Sequence, residues 1–137
     1  MALLAEHDRL EFGQDWVGTM RTVSPDAVYE TYPLGLRIGG AAAVEAFYRR
    51  TIPAMQDIFH LVESEPRTLS FSATTAVVER EAMLRTAAGP VPTRWITVFE
   101  FDGELIRAER TYMDRALAGL FEERFPDLTE LPGVTRA

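Results

Sequence analysis

The sequence predicts an α+β domain in which an antiparallel sheet curves over helices near the N-terminus. Helix-forming stretches with apolar residues at helical spacing occupy the first part of the 137-residue chain, and alternating strand-like stretches separated by turns fill the C-terminal two-thirds. The composition, 47% hydrophobic and 10% aromatic, is sufficient for one sizeable core. We therefore expect a single domain over residues 1–125 and a flexible tail over residues 126–137.

The predicted helices lie mainly in the N-terminal part of the chain. Residues 2–20 are rich in helix formers, and Gly13 is expected to divide them into two short helices. A first strand follows at residues 27–32. The clearest helix covers residues 41–56, and Pro53 should bend or end it because proline lacks an amide hydrogen and clashes with the preceding turn. The apolar face of this helix is formed by Val44, Phe47, Tyr48, Ile52 and Met55.

Strand signals dominate the rest of the chain. Residues 58–63 and 69–86 carry them, with an interruption at Glu65-Pro66. Between residues 76 and 84 the alternation places one Arg among apolar residues, on a face made of Ala76, Val78, Arg80, Ala82 and Leu84. The next strand has an apolar face made of Trp95, Thr97, Phe99 and Phe101.

A hairpin near the C-terminus is the most strongly patterned segment. Asp102-Gly103 suits the tight turn between two strands, because both central positions of a type I′ turn need positive φ. Simple alternation along the second strand predicts one face made of Ile106, Ala108, Arg110, Tyr112 and Asp114. A short amphipathic helix should follow Asp114.

Composition excludes several classes of function. The formal net charge of −7 disfavours nucleic acid and anionic membranes as partners, because both would repel the protein. The chain has no Cys and only two isolated His residues, so we expect neither thiol chemistry nor a His-based metal site, and its glycines form no phosphate-binding motif. We expect no cofactor. Neither a signal peptide nor a long apolar run is apparent, so the expected location is the cytoplasm.

Polar residues on the apolar strand faces form the candidate catalytic site. If the strands curl, Asp114 should meet Arg80 and Tyr29, with Arg110 and Tyr112 nearby. An Asp that is poorly solvated but held by a guanidinium suits a general base, and a Tyr hydroxyl can stabilise an oxyanion. A buried Arg–Asp pair that only satisfies its own charges is an equally open interpretation. The remaining residues expected to contact a substrate are Thr31, Phe47, Tyr48, Ile52, His60, Trp95 and Phe99.

Three segments resemble a known family. DAVYETYPLGLRIGGAAAVEAFY, VVEREAM and VFEFDGELIRAERTYMDRALAGL are similar to the nuclear transport factor 2-like (NTF2-like) superfamily, within it to the SnoaL-like polyketide cyclases and the limonene epoxide hydrolase-like group. The resemblance covers about residues 26–120. It implies a cone-shaped, strongly curved sheet around an apolar cavity, and a homodimer.

The resemblance also suggests roles for individual residues. It places Asp114 at the position of the catalytic base, Arg80 at the arginine of the epoxide hydrolases and Tyr29 at their water-positioning tyrosine. Their second acid would fall at Ala82, and their water-binding Asn at Thr31. Without an acid at position 82, a reaction that needs one base and an oxyanion stabiliser is favoured over epoxide hydrolysis.

Two functions follow as hypotheses. The first is an enzyme that isomerises, cyclises or hydrolyses a lipophilic substrate of polyketide, terpenoid or steroid type by general-base catalysis. The second is a non-catalytic module of the same fold that binds a small ligand or mediates dimerisation.

Overall fold

The computed structural model describes residues 2–62 and 65–137, which form an α+β fold. Its helices are α1 (Ala2–Phe12), α2 (Trp16–Met20), α3 (Ala41–Thr51), α4 (Met55–Ile58) and α5 (Arg115–Arg124), with short 3₁₀ turns at Ile52–Ala54 and Leu128–Glu130. Its strands are β1 (Val23–Tyr32), β2 (Leu36–Gly39), β3 (Phe59–Val62), β4 (Thr68–Phe71), β5 (Thr75–Thr86), β6 (Gly89–Asp102), β7 (Leu105–Met113) and β8 (Val134–Arg136).

The eight strands of the described residues form one strongly curved sheet. Its order is β3-β5-β6-β7-β1-β2-β8, and β4 pairs with the other end of β5. The hairpins β5–β6 and β6–β7 are antiparallel, as expected, and Asp102 pairs with Leu105 across the predicted turn. The pair β1–β7 is parallel, so the sheet is mixed rather than wholly antiparallel. The two strands lie far apart in the chain, which allows the crossover that a parallel pair needs.

Helix α3 packs against β1 and β2 and closes one side of the core. It ends at Thr51, and Pro53 lies in the 3₁₀ turn that follows, which confirms the prediction for this proline. The core has one continuous cluster, with its least accessible side chains on α3, the turn after it and the sheet: Ile38, Val44, Ile52, Leu84 and Ile106.

Gly13 separates α1 from α2, as the sequence predicts. Asp15 begins α2 by accepting a hydrogen bond of 2.7 Å from the backbone N–H of Gly18. The buried face of α1 carries Leu4, His7 and Leu10, so a histidine lies between two leucines on the side that faces the core. That arrangement brings polar atoms of α1 into the interior of the protein.

The strand signals before and after Pro66 form three strands. β3 ends at Val62, and Glu63, which was included in the predicted strand, lies outside the described residues. The single strand predicted from residue 69 onward is divided into β4 and β5 by a turn. A 2.8 Å hydrogen bond from the N–H of Ser72 to the carbonyl of Thr75 closes this turn. On β5 the predicted inward face, Ala76 to Leu84, is buried at every second residue.

A bulge in β7 reverses the faces that simple alternation predicts. Ile106 pairs with Phe101, but Ala108 pairs with Glu100, so Arg107 is an extra residue on β7. One extra residue moves every later side chain of the strand to the opposite face of the sheet, because side chains alternate with a period of two. Beyond the bulge, the inward residues are Glu109, Thr111 and Met113, paired with Phe99, Thr97 and Trp95.

The C-terminal residues are not a flexible tail, which corrects the expectation for residues 126–137. Leu128 and Val134 are buried in the core cluster. Strand β8 pairs with the outer edge of β2, where Val134 lies opposite Ile38. Apolar burial and backbone pairing together hold this segment against the sheet. In the described part of the chain, no helix is both long enough and apolar enough to cross a membrane.

Candidate functional site

A cavity of about 90 Å³ lies between the concave face of the sheet and helices α1, α3 and α5. Most of its wall is apolar and aromatic, and the residues that provide this surface are Phe12, Phe47, Met55, Phe59, Val78, Trp95, Phe99, Met113, Leu117 and Phe121. A few polar groups interrupt it, including Asp8 and Glu11 from α1, Arg80 from β5 and Glu109 from β7. An apolar cavity with a few convergent polar groups is typical of a small-molecule site.

Glu109 is a buried carboxyl group in the cavity wall whose hydrogen-bonding capacity is only partly satisfied. Its side chain is 14% exposed, and its Oε2 atom is buried without a hydrogen-bond partner. The other oxygen, Oε1, accepts a long hydrogen bond of 3.3 Å from the hydroxyl of Thr111. Burial, followed by the negative charge of Glu11, raises the pKa of Glu109 from 4.5 to about 8, although the charge of His7 acts in the opposite direction.

Two tyrosines and a histidine form a buried chain beside Glu109. The hydroxyl of Tyr48 donates to the hydroxyl of Tyr29 at 3.1 Å, and it lies 3.3 Å from Nε2 of His7. Burial raises the pKa of both tyrosines well above 10, so both hydroxyls are neutral hydrogen-bond donors at ordinary pH. Because Tyr29 accepts from Tyr48, its own hydrogen can be donated to Glu109 or to a ligand oxygen.

Arg80 is held by Asp8, and not by Asp114. Its guanidinium forms an ion pair with the Asp8 carboxylate and lies over the ring of Phe12, 5.1 Å from the ring centre. The Arg80 side chain is only 9% exposed. Burial raises the pKa of Asp8, and the charge of Arg80 opposes this effect. The carboxylate partner of Arg80 is therefore supplied by α1, whereas Ala82 lies outside the cavity wall.

Asp114 does not line the cavity, which corrects its predicted position beside Arg80. It precedes α5 as the N-cap residue and accepts hydrogen bonds from the N–H of Leu117 (3.0 Å), the hydroxyl of Thr93 (2.7 Å) and the N–H of Arg94 (2.8 Å). Partial burial raises the pKa of Asp114, but these hydrogen bonds outweigh that effect and lower it. A carboxylate held by three donors is a helix cap, and its geometry does not suit a base.

Four other predicted contact residues also lie away from the cavity. Arg110 and Tyr112 follow the bulge and therefore point outward, where Arg110 pairs with Glu100 and Tyr112 stacks on Tyr32 at 5.4 Å. His60 is exposed on β3. Ile52 is fully buried in the core behind the cavity wall. The remaining predicted residues do line the cavity: Tyr29, Thr31, Phe47, Tyr48, Arg80, Trp95 and Phe99.

Sequence reasoning missed two groups of cavity residues. On β7 the missed residues are Glu109, Thr111 and Met113, because a prediction from simple alternation does not account for the bulge. On α1 the missed residues are Asp8, Glu11 and Phe12, with His7 behind them. Their spacing did contain a signal, since positions i, i+1, i+4 and i+5 lie on one side of a helix. In the described residues no cluster of His, Asp and Glu has the geometry of a metal site.

No family model matches the sequence, and no curated protein matches it significantly. Solved structures do match along most of the chain. An NTF2-like protein of unknown function from Cytophaga hutchinsonii is 12% identical with a TM-score of 0.69, over 82% of this chain and 97% of the other. An LEH-like epoxide hydrolase from M. tuberculosis is 20% identical with a TM-score of 0.66, over 94% and 93%. A Shewanella denitrificans protein provisionally named a SnoaL-like polyketide cyclase is 12% identical with a TM-score of 0.68, over 92% and 96%.

These similarities show the NTF2-like fold and confirm the predicted resemblance at that level. Proteins of this fold include different activities, so the fold alone does not identify a reaction. The function has to be argued from the cavity itself.

Proposed function

We propose that this protein is an enzyme that transfers protons on a small, mainly apolar substrate, with Glu109 as its acid and base. The observation that carries the proposal is the buried Oε2 atom of Glu109, which has no hydrogen-bond partner and lies in the wall of an apolar cavity. An unsatisfied buried acid is unfavourable for stability, and such groups are frequent at functional sites.

The ionisation of Glu109 suits this role. A group is most effective in general acid–base catalysis when its pKa is close to the working pH, and the pKa of Glu109 is about 8. The other charged groups of the cavity have partners, since Arg80 pairs with Asp8, and His7 with Glu11 at 3.2 Å. Glu109 lies 3.9 Å from His7, farther than either of these pairs, so it is the carboxyl group of the cavity that exchanges its proton with a substrate most readily.

Tyr29 complements Glu109 in the proposed reaction. A carbonyl oxygen that gains negative charge can accept a hydrogen bond from the Tyr29 hydroxyl, which Tyr48 supports from behind. Ionised Glu109 then takes a proton from the carbon beside the carbonyl and returns it at another position. This sequence conserves atoms and charge and needs one carboxyl group, so isomerisation or cyclisation next to a carbonyl is favoured over hydrolysis.

The size of the cavity restricts what can reach Glu109. A volume of about 90 Å³ is below the several hundred Å³ of most ligand sites, so only the compact reacting end of a larger substrate fits inside. An open depression of about 530 Å³ adjoins the cavity and shares its residues Asp8, Phe12 and Arg80. A polyketide-, terpenoid- or steroid-like molecule would place its apolar body there, among side chains such as Leu4 and Leu69.

The experiment is turnover of a mixed panel of enones, lactones, epoxides and linear polyketide mimics, followed by mass spectrometry. Wild type is compared with Glu109→Gln and with Glu104→Gln, an exposed glutamate at the tip of the β6–β7 hairpin. We expect Glu109→Gln to lower the rate by about 10²- to 10⁴-fold and Glu104→Gln to leave it unchanged. Conversion that persists in folded Glu109→Gln would refute the proposal.

The small cavity also supports a second candidate, a module that binds a compact ligand without converting it. This function predicts panel members that bind and are recovered intact, with affinities that depend on Tyr29 and Thr31, whose Oγ1 is also buried without a partner. Isothermal titration calorimetry with small ketones measures the binding that both candidates predict. Mass spectrometry of the same samples then separates the candidates, because only the enzyme gives product.

We further propose that the protein forms a homodimer through the convex face of the sheet. Val77, Ile96 and Tyr112 are exposed on three adjacent strands of that face, and Ile96 lies opposite Tyr112. A group of exposed apolar residues on a sheet is typical of an interface. Light scattering coupled to size-exclusion chromatography should give twice the chain mass, and a purely monomeric peak at micromolar concentration would refute the dimer.

A further inference from the structure

His7 is a fully buried imidazole beside the cavity, and the proton transfer proposed for Glu109 does not use it directly. It lies on α1 and contacts elements on several sides. The titratable, polar and aromatic groups that face it are Asp8 and Glu11 from α1, Thr22 before β1, Tyr48 from α3, Phe99 from β6 and Glu109 from β7. Tyr29 from β1 is one hydrogen bond further away, through Tyr48.

One ring nitrogen of His7 must carry a hydrogen. The hydroxyl of Thr22 donates to the carbonyl of Thr19 at 2.6 Å, so its single hydrogen is already used. The same oxygen lies 2.7 Å from Nδ1 of His7. It can therefore only accept from Nδ1, which fixes a hydrogen on that atom.

The other ring nitrogen faces a carboxylate. Nε2 lies 3.2 Å from Oε2 of Glu11, whose side chain is 17% exposed. Two lone pairs at this distance would repel each other, so a proton lies between the two atoms. Burial lowers the pKa of His7, but the hydrogen bond and charge of Glu11, together with the charges of Glu109 and Asp8, raise it overall. The favoured arrangement is a doubly protonated His7 that donates to an ionised Glu11.

We propose that His7 is a fixed cation behind the cavity wall, and that its charge keeps Glu109 able to release its proton near neutral pH. Nε2 of His7 lies 3.9 Å from the free Oε2 of Glu109, near enough for the charge to act directly. Burial and Glu11 both favour the protonated form of Glu109, and His7 opposes them. His7 is thus a positioning residue, and its importance for catalysis rests on the proposed function of Glu109.

Nuclear magnetic resonance of labelled imidazoles tests the charge of His7. The chain has only two histidines, and exposed His60 serves as an internal reference. We expect the ¹⁵N shifts of His7 to report a doubly protonated ring at pH 7. A neutral His7 at pH 7 with hydrogen on Nδ1 alone would overturn the proposal.

A carbon-13 titration of the glutamate carboxyl groups tests the effect on Glu109, with its signal assigned by its loss in Glu109→Gln. Gln in place of His7 keeps a donor near Glu11 and removes the charge, so we expect the Glu109 midpoint to rise by about one pH unit or more. His60→Gln is the matched control and should cause no shift. An unchanged Glu109 midpoint in folded His7→Gln would refute the coupling.

Two further measurements keep the test decisive. If His7→Gln does not fold, wild type carries the test: the titration of Glu109 at a pH of about 8 should move the ¹⁵N shifts of His7, which lies 3.9 Å away, and no such step would refute the coupling. With a substrate, His7→Gln should move the pH profile of kcat/KM to higher pH and recover its rate there, which a purely structural histidine would not do. The titration does not depend on turnover, so loss of the proposed enzyme activity and loss of this coupling can be told apart.

Discussion

Replacement of Asp114 by Ala tests whether this residue is a helix cap or a catalytic base. The carboxylate accepts three hydrogen bonds, from the N–H of Leu117, the N–H of Arg94 and the hydroxyl of Thr93. Loss of an N-cap costs about 1 kcal/mol, and each of the two other hydrogen bonds adds about 0.5–1 kcal/mol at this partly buried position. We therefore expect Asp114→Ala to lower the free energy of unfolding by about 2–3 kcal/mol.

Urea unfolding followed by tryptophan fluorescence measures this loss. Asp114→Asn keeps one carbonyl acceptor and should lose about 1 kcal/mol, since Asn also caps helices. Because the pKa of Asp114 is lowered in the folded state, its contribution is present at neutral pH and disappears as the pH falls through that lowered pKa. The difference between wild type and Asp114→Ala should therefore shrink in acid.

Two outcomes would refute the assignment of Asp114 as a cap. The first is a stability loss below about 0.5 kcal/mol in Asp114→Ala, which is less than the cap alone should provide. The second is an Asp114→Asn variant of normal stability that has lost turnover per folded molecule, since a helix cap outside the cavity wall should have no part in the chemistry.

Three other predictions concern stability. Asp8→Asn should lower the free energy of unfolding in urea by about 1–3 kcal/mol, because it leaves the buried guanidinium of Arg80 without its carboxylate. The control Glu6→Gln changes an exposed ion pair and should cause no measurable loss of stability. Val134→Ala should lower the free energy of unfolding by about 1–3 kcal/mol and increase hydrogen exchange in β2, because Val134 is buried and lies on the strand that pairs with β2. A loosely attached tail would show neither effect. Wild type should lose thermal stability as the pH rises from about 4.5 to about 8, because over this interval folded Glu109 keeps a proton that the unfolded chain has released. Glu109→Gln should not show this pH-dependent loss, and parallel plots of melting temperature against pH for the two proteins would contradict the prediction.

The candidate site could be predicted from the sequence only in part. Arg80 and Trp95 were placed correctly in the cavity wall, because β5 and the central part of β6 alternate without interruption. Asp114 was placed incorrectly, because its three hydrogen-bond donors come from two elements that only the fold brings together. Glu109 was assigned to the wrong face, because Arg107 adds one residue to β7 ahead of it.

What the sequence determined by itself was local. The α+β class, the break at Gly13, the end of α3 near Pro53 and the β6–β7 turn all follow from periodicity and from the backbone preferences of glycine and proline. These preferences act over a few residues, so they can be read without knowledge of distant parts of the chain.

What only the tertiary structure decided was which distant groups meet. Arg80 could have paired with any carboxylate, and the packing of α1 over the sheet brought Asp8 to it and His7 to Glu109. Val134 is held because β2 offers a free edge beside an apolar core. Long-range burial and strand pairing select such contacts, and a single bulge in β7 changed which carboxyl group the cavity contains.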